Sequence, residues 1–326
     1  MPTNLPPEYF KVEEEYKAAK DHQEKLRLLE ELISTVPKHK GTDKLRADLR
    51  RKLSKMRTSS GGSKAARHET PYHIDREGAG QVVVCGPANT GKSALVDALT
   101  NAEPEVQPYP FSTWGPTPGM VQIENIQAQL IDTPALDRDF EEPELVDLIR
   151  RCDLALIMLD LQDFPLEQLE WTLSYLAGHN ILPAHLQEGE PESRRVRHVP
   201  MMLVVNKVDQ GLQDDFEVFE QLLDQPWEII PISVQEGWNL DALRWAIFDA
   251  LDIMRVYSKA PGREPDLNSP FILPQGTTVV EFAGMVHQDF AKNLKAAKLW
   301  GSSEFDGQLV ARDHVLRDGD IVELKA

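Results

Sequence analysis

The chain has 326 residues, 41% hydrophobic and 27% charged, with 35 Lys+Arg against 53 Asp+Glu and a formal net charge of −18. That length and mixture exclude wholesale disorder, collagen-like repeats and disulfide-rich scaffolds, and they allow two or three domains. No apolar run of about 18 residues can span a bilayer, and the opening MPTNLPPEYFKVEEEYK lacks the basic-then-apolar order of a signal peptide. A cytoplasmic protein with no membrane partner is therefore expected, and its two cysteines, Cys85 and Cys152, read as buried reduced thiols.

The charge is uneven. Residues 1–80 hold 17 basic and 13 acidic side chains, whereas residues 81–326 hold 18 and 40. Within residues 36–68, eleven Lys and Arg face only Asp43 and Asp48. Taken as an average, the acidity argues against a nucleic-acid partner. Taken by segment, it leaves a short basic arm on an acidic body.

In chain order, residues 8–36 carry Phe10, Val12, Tyr16, Ala19, Leu26, Leu29, Leu32, Ile33 and Val36 near helical spacing, which predicts one amphipathic helix. After the turn PKHKG, Thr42 and Asp43 suit the start of a second helix. Its Leu45, Leu49, Leu53 and Met56 share one face, while Arg46, Arg50, Arg51, Lys52 and Arg57 project elsewhere. A basic helical hairpin over residues 1–70 is expected, closed by the Gly/Ser-rich linker SSGGSKAARHETP at 59–71.

From residue 79 to 258, short apolar runs (QVVVC, QAQLID, LALIMLD, MMLVVN, EIIPIS) alternate with helical patterns near 92–99, 142–151, 165–178, 214–223 and 238–253. This alternation predicts an α/β domain with a mainly parallel sheet and helices on both faces. Residues 180–199 read as a polar insertion, and APGREPDLNSP at 260–270 as a second boundary. Beyond it, residues 267–326 predict a small α+β domain, with an exposed stretch through Trp300, strands at 308–311 and 321–325, and a turn at Asp318-Gly319 between those strands.

The strongest chemical signal is Gly86-Pro87-Ala88-Asn89-Thr90-Gly91-Lys92-Ser93, which fits GxxxxGK[ST] between an apolar strand and a helix from Lys92 that carries Ala94, Leu95, Ala98 and Leu99. Glycines let such a loop wrap phosphates, backbone N–H groups bind the anion, Lys92 reaches the β/γ-phosphates, and Ser93 ligates Mg²⁺. Asp132-Thr-Pro-Ala135 ends another strand, where a Mg²⁺-linked carboxylate belongs. Asn206-Lys207-Val208-Asp209 fits NKxD; a carboxylate at Asp209 accepts two hydrogen bonds from guanine that adenine cannot offer. Ser233 and Val234 would place backbone groups beside the base. Tyr109-Pro-Phe-Ser-Thr113, before a Pro/Gly-rich stretch at 115–119, suits a switch loop that adds a hydroxyl to the Mg²⁺ shell, from Thr113 or alternatively Ser112.

This order of motifs resembles a translation-factor-class GTPase of the Obg/DRG group. The likeness includes KGTDKLRADLRRKLSKMR in the hairpin, YPFST, and the pair FILPQGTTVVEFAGMVHQDF and LVARDHVLRDGDIVEL, which is similar to a TGS domain. It implies a P-loop GTPase domain, a small β-grasp domain after it, and a partner in the ribosome or rRNA engaged through residues 38–67. The TGS-like domain is a further candidate protein contact. Nothing resembles the glycine-rich domain of Obg proteins proper. The step from Asp132 to Asn206 is short for the extra domain of eukaryotic DRG proteins, so a reduced DRG-like bacterial or archaeal type fits.

Ala135 replaces the usual glycine, and Leu136 stands where many GTPases carry a water-positioning glutamine. Asn89 matches the position that potassium-dependent GTPases use to help hold K⁺, with bracing of the loop as the alternative. The expected activity is slow, K⁺-stimulated GTP hydrolysis with Lys92, Asn89 and Thr113 as its catalytic groups. The competing reading is a nucleotide-dependent protein-binding module with vestigial catalysis.

Overall fold

The computed structural model describes residues 6–18, 22–36, 45, 49–53, 74–100, 115–137, 143–187, 195–209 and 211–325. These fall in two compact units, residues 1–70 and 71–326.

In the first unit, α1 (Pro7–Ala18) and α2 (His22–Thr35) pack on one another. One continuous helix over 8–36 is thus replaced by two. The apolar stripe lapses between Tyr16 and Leu26, where charged and polar residues dominate, so an unbroken helix would have exposed a long stretch with nothing to bury. Tyr9, Val12, Leu28, Leu29, Leu32, Ile33 and Val36 are buried. Residues 49–53 are helical, with Leu49 and Leu53 buried and Arg50, Arg51 and Lys52 exposed, as the periodicity predicts. The rest of the basic segment 38–67 and the linker lie outside the described residues.

The second unit opens with a six-stranded sheet. Its strands are β1 (Gln81–Cys85), β2 (Thr117–Ile123), β3 (Ile126–Asp132), β4 (Leu154–Asp160), β7 (Met201–Asn206) and β8 (Ile229–Pro231), in the order β2-β3-β1-β4-β7-β8. Only β2 runs antiparallel. Strands β1, β4 and β7 are buried along their whole length, which is why they read as unbroken apolar runs rather than alternating ones. Helices α3 (Lys92–Leu99), α4 (Pro143–Arg151), α5 (Pro165–Gly178) and α6 (Gln213–Gln221) connect them, and α7 (Leu240–Ala250) follows β8. Two separate apolar clusters form, one built on Val83, Ile131 and Ile157 and the other on Val82, Leu130 and Leu156, as the alternation along each strand requires. The expected insertion at 180–199 contains a short parallel pair, β5 (Ile181–Pro183) with β6 (Arg197–Val199). The Pro/Gly stretch read as part of a switch loop enters β2, where Thr117 pairs with Asp132.

The second boundary also moves. Strand β9 (Ile253–Ser258) pairs antiparallel with β10 (Phe271–Pro274) and parallel with β13 (Asp320–Lys325). Residues 260–270 are therefore a loop inside the carboxy-terminal sheet, and the end placed at 258 takes in a strand that belongs to that sheet. The stretch expected to be exposed through Trp300 is strand β11 (Ala296–Trp300), with Ala297 and Leu299 fully buried; β12 (Gln308–Val310) completes the order β10-β9-β13-β11-β12. The Asp318-Gly319 turn immediately precedes β13. Helix α8 (Val279–Val286) lays Val279, Phe282 and Ala283 on this sheet. Its start is set by a capping box between Thr278 and Glu281, whose hydrogen bonds hold the Glu281 carboxyl below its ordinary pKa. A short helix α9 (Gln288–Asn293) follows. The whole is a β-grasp.

Arg255 of β9 ties this domain to the larger sheet. Its guanidinium pairs with Asp318 at 2.7 Å and with Glu124 in the β2–β3 turn, over the rings of Trp245 and Phe248. Asn125 donates to Tyr257 Oη at 2.7 Å and to Leu267 O at 2.9 Å across the same junction. The hydrogen bonds that Arg255 donates to Asp318 raise the guanidinium pKa; burial pushes the Asp318 carboxyl up, but the bonds it accepts from Arg255 outweigh this and hold it below its ordinary value. Arg255→Ala is expected to lower unfolding stability by about 2–3 kcal/mol in urea melts, since it strands a partly buried carboxylate. The Asp318 pKa is depressed in the fold. The loss should therefore be full above the ordinary carboxylate range and shrink as pH falls through the depressed value.

Both cysteines are buried, and burial pushes Cys85 up to about 12 despite nearby Lys92, and Cys152 higher still. Neither should react with a thiol reagent at pH 8 until the chain is unfolded in denaturant.

Candidate functional site

The loop after β1 shows why its glycines are needed. Gly86 has φ 141°, and a Cβ there would stand 2.5 Å from the carbonyl oxygen of Met158 on neighbouring β4. Gly91, at φ 96°, caps α3, and a Cβ would lie 2.4 Å from Asn206 Nδ2. Asn89 also has positive φ, 63°, a conformation that Asn tolerates better than most residues. Its side chain is exposed. Ala88 is half-buried; Ala94 lies in the first turn of α3. Thr90 Oγ1 donates to Pro87 O at 3.2 Å, and buried Lys92 donates from Nζ to the same carbonyl. The amine thereby lies along the loop it would serve.

Ser93 Oγ donates to Asp132 Oδ2 at 2.6 Å, so the loop hydroxyl and the buried carboxylate at the end of β3 meet. Thr133 Oγ1 anchors the next residue to Val84 O at 2.7 Å. Leu136 donates its N–H to Gly86 O at 3.2 Å, and the Asp137 carboxylate accepts the Ala88 N–H at 3.0 Å. The segment after Asp132 is thus docked on the phosphate loop. Ala135 is buried without positive φ, so alanine fits this conformation, and Leu136 is packed into the core.

At the other end, the β4–β7 register places Asp160 beside Asn206. Asn206 Nδ2 donates to Thr90 O at 2.9 Å while its Oδ1 accepts the Val234 N–H at 3.1 Å, so one carboxamide joins the phosphate loop, NKxD and the end of the last strand. Lys207, at φ 63°, pairs through Nζ with Asp160 Oδ2. Asp209 Oδ1 accepts from Ser233 Oγ at 2.7 Å, and its Oδ2 from Gln162 Nε2 at 3.1 Å; the same Gln162 nitrogen reaches Lys207 O at 3.0 Å.

The structure therefore brings residues 86–94, Asp132, Asn206, Lys207, Asp209, Ser233 and Val234 to one edge of the sheet. Thr113 and Ser112 lie outside the described residues. Sequence reasoning missed Asp137, Asp160 and Gln162. An acidic residue ending an apolar strand was a signal for Asp160. Nothing marked Gln162, whose role depends on two loops meeting.

Among the described residues, no cluster of three or more His, Cys, Asp or Glu side chains could hold a metal. A magnesium ion needs none, since it keeps most of its shell as water and phosphate oxygen and takes one or two protein oxygens. The hard oxygens of Ser93 and Asp132, in contact beside the loop, fit that demand.

Residues 81–207 match the family described as 50S ribosome-binding GTPase, and residues 254–326 match the TGS domain. An uncharacterized GTP-binding protein of Methanocaldococcus jannaschii is 27% identical, over 93% of this chain and 92% of its own length. Developmentally-regulated GTP-binding protein 1 of Xenopus laevis is 26% identical, over 91% and 96%. Ribosome-interacting GTPase 1 of Saccharomyces cerevisiae is 25% identical, over 92% and 98%. In fold, the YchF GTPase of Schizosaccharomyces pombe superposes with a TM-score of 0.50 at 13% identity, over 77% of this chain and 99% of that one. With its phosphate loop, NKxD and β-grasp in this order, the chain belongs to the DRG/Obg family of GTPases with a carboxy-terminal TGS domain.

Proposed function

We propose that the chain is a GTP-hydrolysing switch that acts on the ribosome, with the basic segment 38–67 as its rRNA contact. The observation that carries the nucleotide reading is the Asn206 carboxamide, which couples the phosphate loop at Thr90 to the base-side strand end at Val234. In this reading Gly86 to Ala94 cradle the phosphates, Lys92 supplies positive charge to them, and Asp209 selects guanine, with Asn206, Lys207, Ser233 and Val234 holding it in place. Ser93 and Asp132, with Thr113 from the switch segment, would hold Mg²⁺, which would supply positive charge to offset that of the phosphates. Asn89, exposed at the phosphate loop, is the residue assigned to a K⁺ contact in this reading. GTP turnover is expected to be faster in KCl than in NaCl; equal rates would remove the cation from the mechanism.

Support for the ribosome comes from the names of the matched family and of the yeast relative, and from exposed Arg50, Arg51 and Lys52. A cytoplasmic location accords with this; no described helix is long and apolar enough to cross a membrane. Co-sedimentation with ribosomal subunits in GDP, GTP and a non-hydrolysable analogue tests the reading. Salt-sensitive, nucleotide-dependent association lost in Arg50→Glu/Arg51→Glu/Lys52→Glu is expected. Absence from ribosomal fractions in all three states would overturn it.

One observation favours a second reading. The Leu136 side chain is buried in the core and brings no polar atom to the loop, as a regulatory module with vestigial catalysis and a protein partner at the TGS domain would have it. Turnover equal to that of Lys92→Ala would favour this module.

A further inference from the structure

At the end of the larger sheet opposite the phosphate loop, where β1 and β4 begin, a cavity of about 590 Å³ is lined by Ile74, Asp75, Arg76, Gln81, Arg150, Arg151 and Arg197. Four arginines line it, on a body in which acidic side chains outnumber basic ones 40 to 18 over residues 81–326. We propose that this pocket is a second anion site of the chain and that it takes the phosphodiester backbone of RNA.

Two of the arginines are fixed by the fold. Arg76 pairs with Asp153 at 2.9 Å and also donates to the carbonyl of Arg151; Arg150 pairs with Asp147 at 2.8 Å and donates to His179 O at 2.8 Å. The other two keep their charge available. Arg151 uses only Nε, on the Asp147 carbonyl at 3.1 Å, and neither it nor Arg197 has an ion pair among the described residues. Both are exposed, and exposed Arg195 stands two residues before Arg197. Asp75, Asp147 and Asp153 face the cluster and offset part of its charge, but they leave the exposed rim cationic.

A rigid guanidinium fork binds phosphate in bidentate fashion, and two held arginines beside two open ones form a preorganised cradle. Among the described residues no aromatic side chain lines the pocket, and arginine forks of this kind fit the phosphate backbone rather than base edges. The nucleotide loop lies at the other ends of the same strands, so both sites can be filled together.

The inference rests on the ribosomal reading above and adds a contact on the GTPase domain itself. The test uses the full chain, a fluorescein-labelled RNA duplex of about 20 base pairs, and anisotropy over a salt series. Arg151→Glu/Arg197→Glu is expected to weaken binding at least about tenfold and to lower the log–log salt slope by about 2. Arg151→Lys/Arg197→Lys should keep most of the affinity, and both should bind labelled GDP as the parent does. Unchanged RNA affinity and slope in the Glu variant, with GDP binding intact, would overturn the pocket. So would displacement of the duplex by inorganic phosphate at matched ionic strength, which would make it a small-anion site. Loss only in Arg50→Glu/Arg51→Glu/Lys52→Glu would leave the ribosomal reading standing without this pocket. Pocket-dependent RNA binding without ribosome association would do the reverse, and a parent chain that binds no RNA would end both.

Discussion

Asp209→Asn is expected to weaken GTP binding by about 10²–10⁴-fold and to confer binding of xanthosine triphosphate instead. The size follows from two hydrogen bonds to a charged acceptor, each contributing about 1.5–3 kcal/mol. Guanine presents an N1–H and an amine to the carboxylate; an asparagine amide sets its own NH₂ against one of them. Xanthine carries a carbonyl in place of the amine, so the amide regains a match. The carboxylate is aimed before any base arrives, because Ser233 holds one oxygen and Gln162 the other. Calorimetric titration of the variant with GTP, XTP and ATP reads the outcome directly. Loss of GTP without gain of XTP, together with a lower melting temperature, would make Asp209 a structural link between loops rather than the base-reading group.

Gly91→Ala should be nearly as damaging, for a different reason. The methyl group would enter at 2.4 Å from Asn206 Nδ2, on a backbone at φ 96° that favours glycine. The left-handed conformation alone costs a residue with a Cβ about 1–2 kcal/mol. The larger effect is on Asn206, which cannot retreat without releasing Thr90 O or the Val234 N–H. Nucleotide affinity is expected to fall at least about 100-fold, in keeping with the loss of two or more buried hydrogen bonds. Thermal melting should move down by several degrees as well. A variant that binds GDP normally would mean that the Asn206 bridge is dispensable to the site.

Much of this site was legible residue by residue. GPANTGKS, the DTPA tetrapeptide and NKVD each carry their spacing within a few residues, because wrapping a phosphate or presenting a carboxylate is a local backbone task. The apolar runs that become β1, β4 and β7 were equally plain, since a strand buried on both faces has no polar residues to interrupt it.

Other features had no local mark. Strand β9 fell at the end of the span 79–258 with no strand assigned to it, because its partners β10 and β13 lie well downstream in the chain. Strand β11 alternates buried with half-exposed residues, and its lysine made it read as surface. Gln162 matters only because β4 and β7 run side by side and deliver their following loops to the same place. The four arginines of the second pocket come from residues 76, 150, 151 and 197, too far apart for any charge count along the chain to group them.

By itself, then, the sequence determined which motifs are present: GPANTGKS after an apolar strand, DTPA, NKVD, a basic segment at 36–68, and a second small domain. Only the tertiary structure decided how those pieces are held. The Asn206 bridge, the docking of Leu136 and Asp137 on the loop, and the Arg255 clamp each join residues distant in sequence, from 28 positions between Asn206 and Val234 to 131 between Arg255 and Glu124. Such contacts depend on strand order and register, which are set by the packing of whole faces against one another and not by any short run of residues.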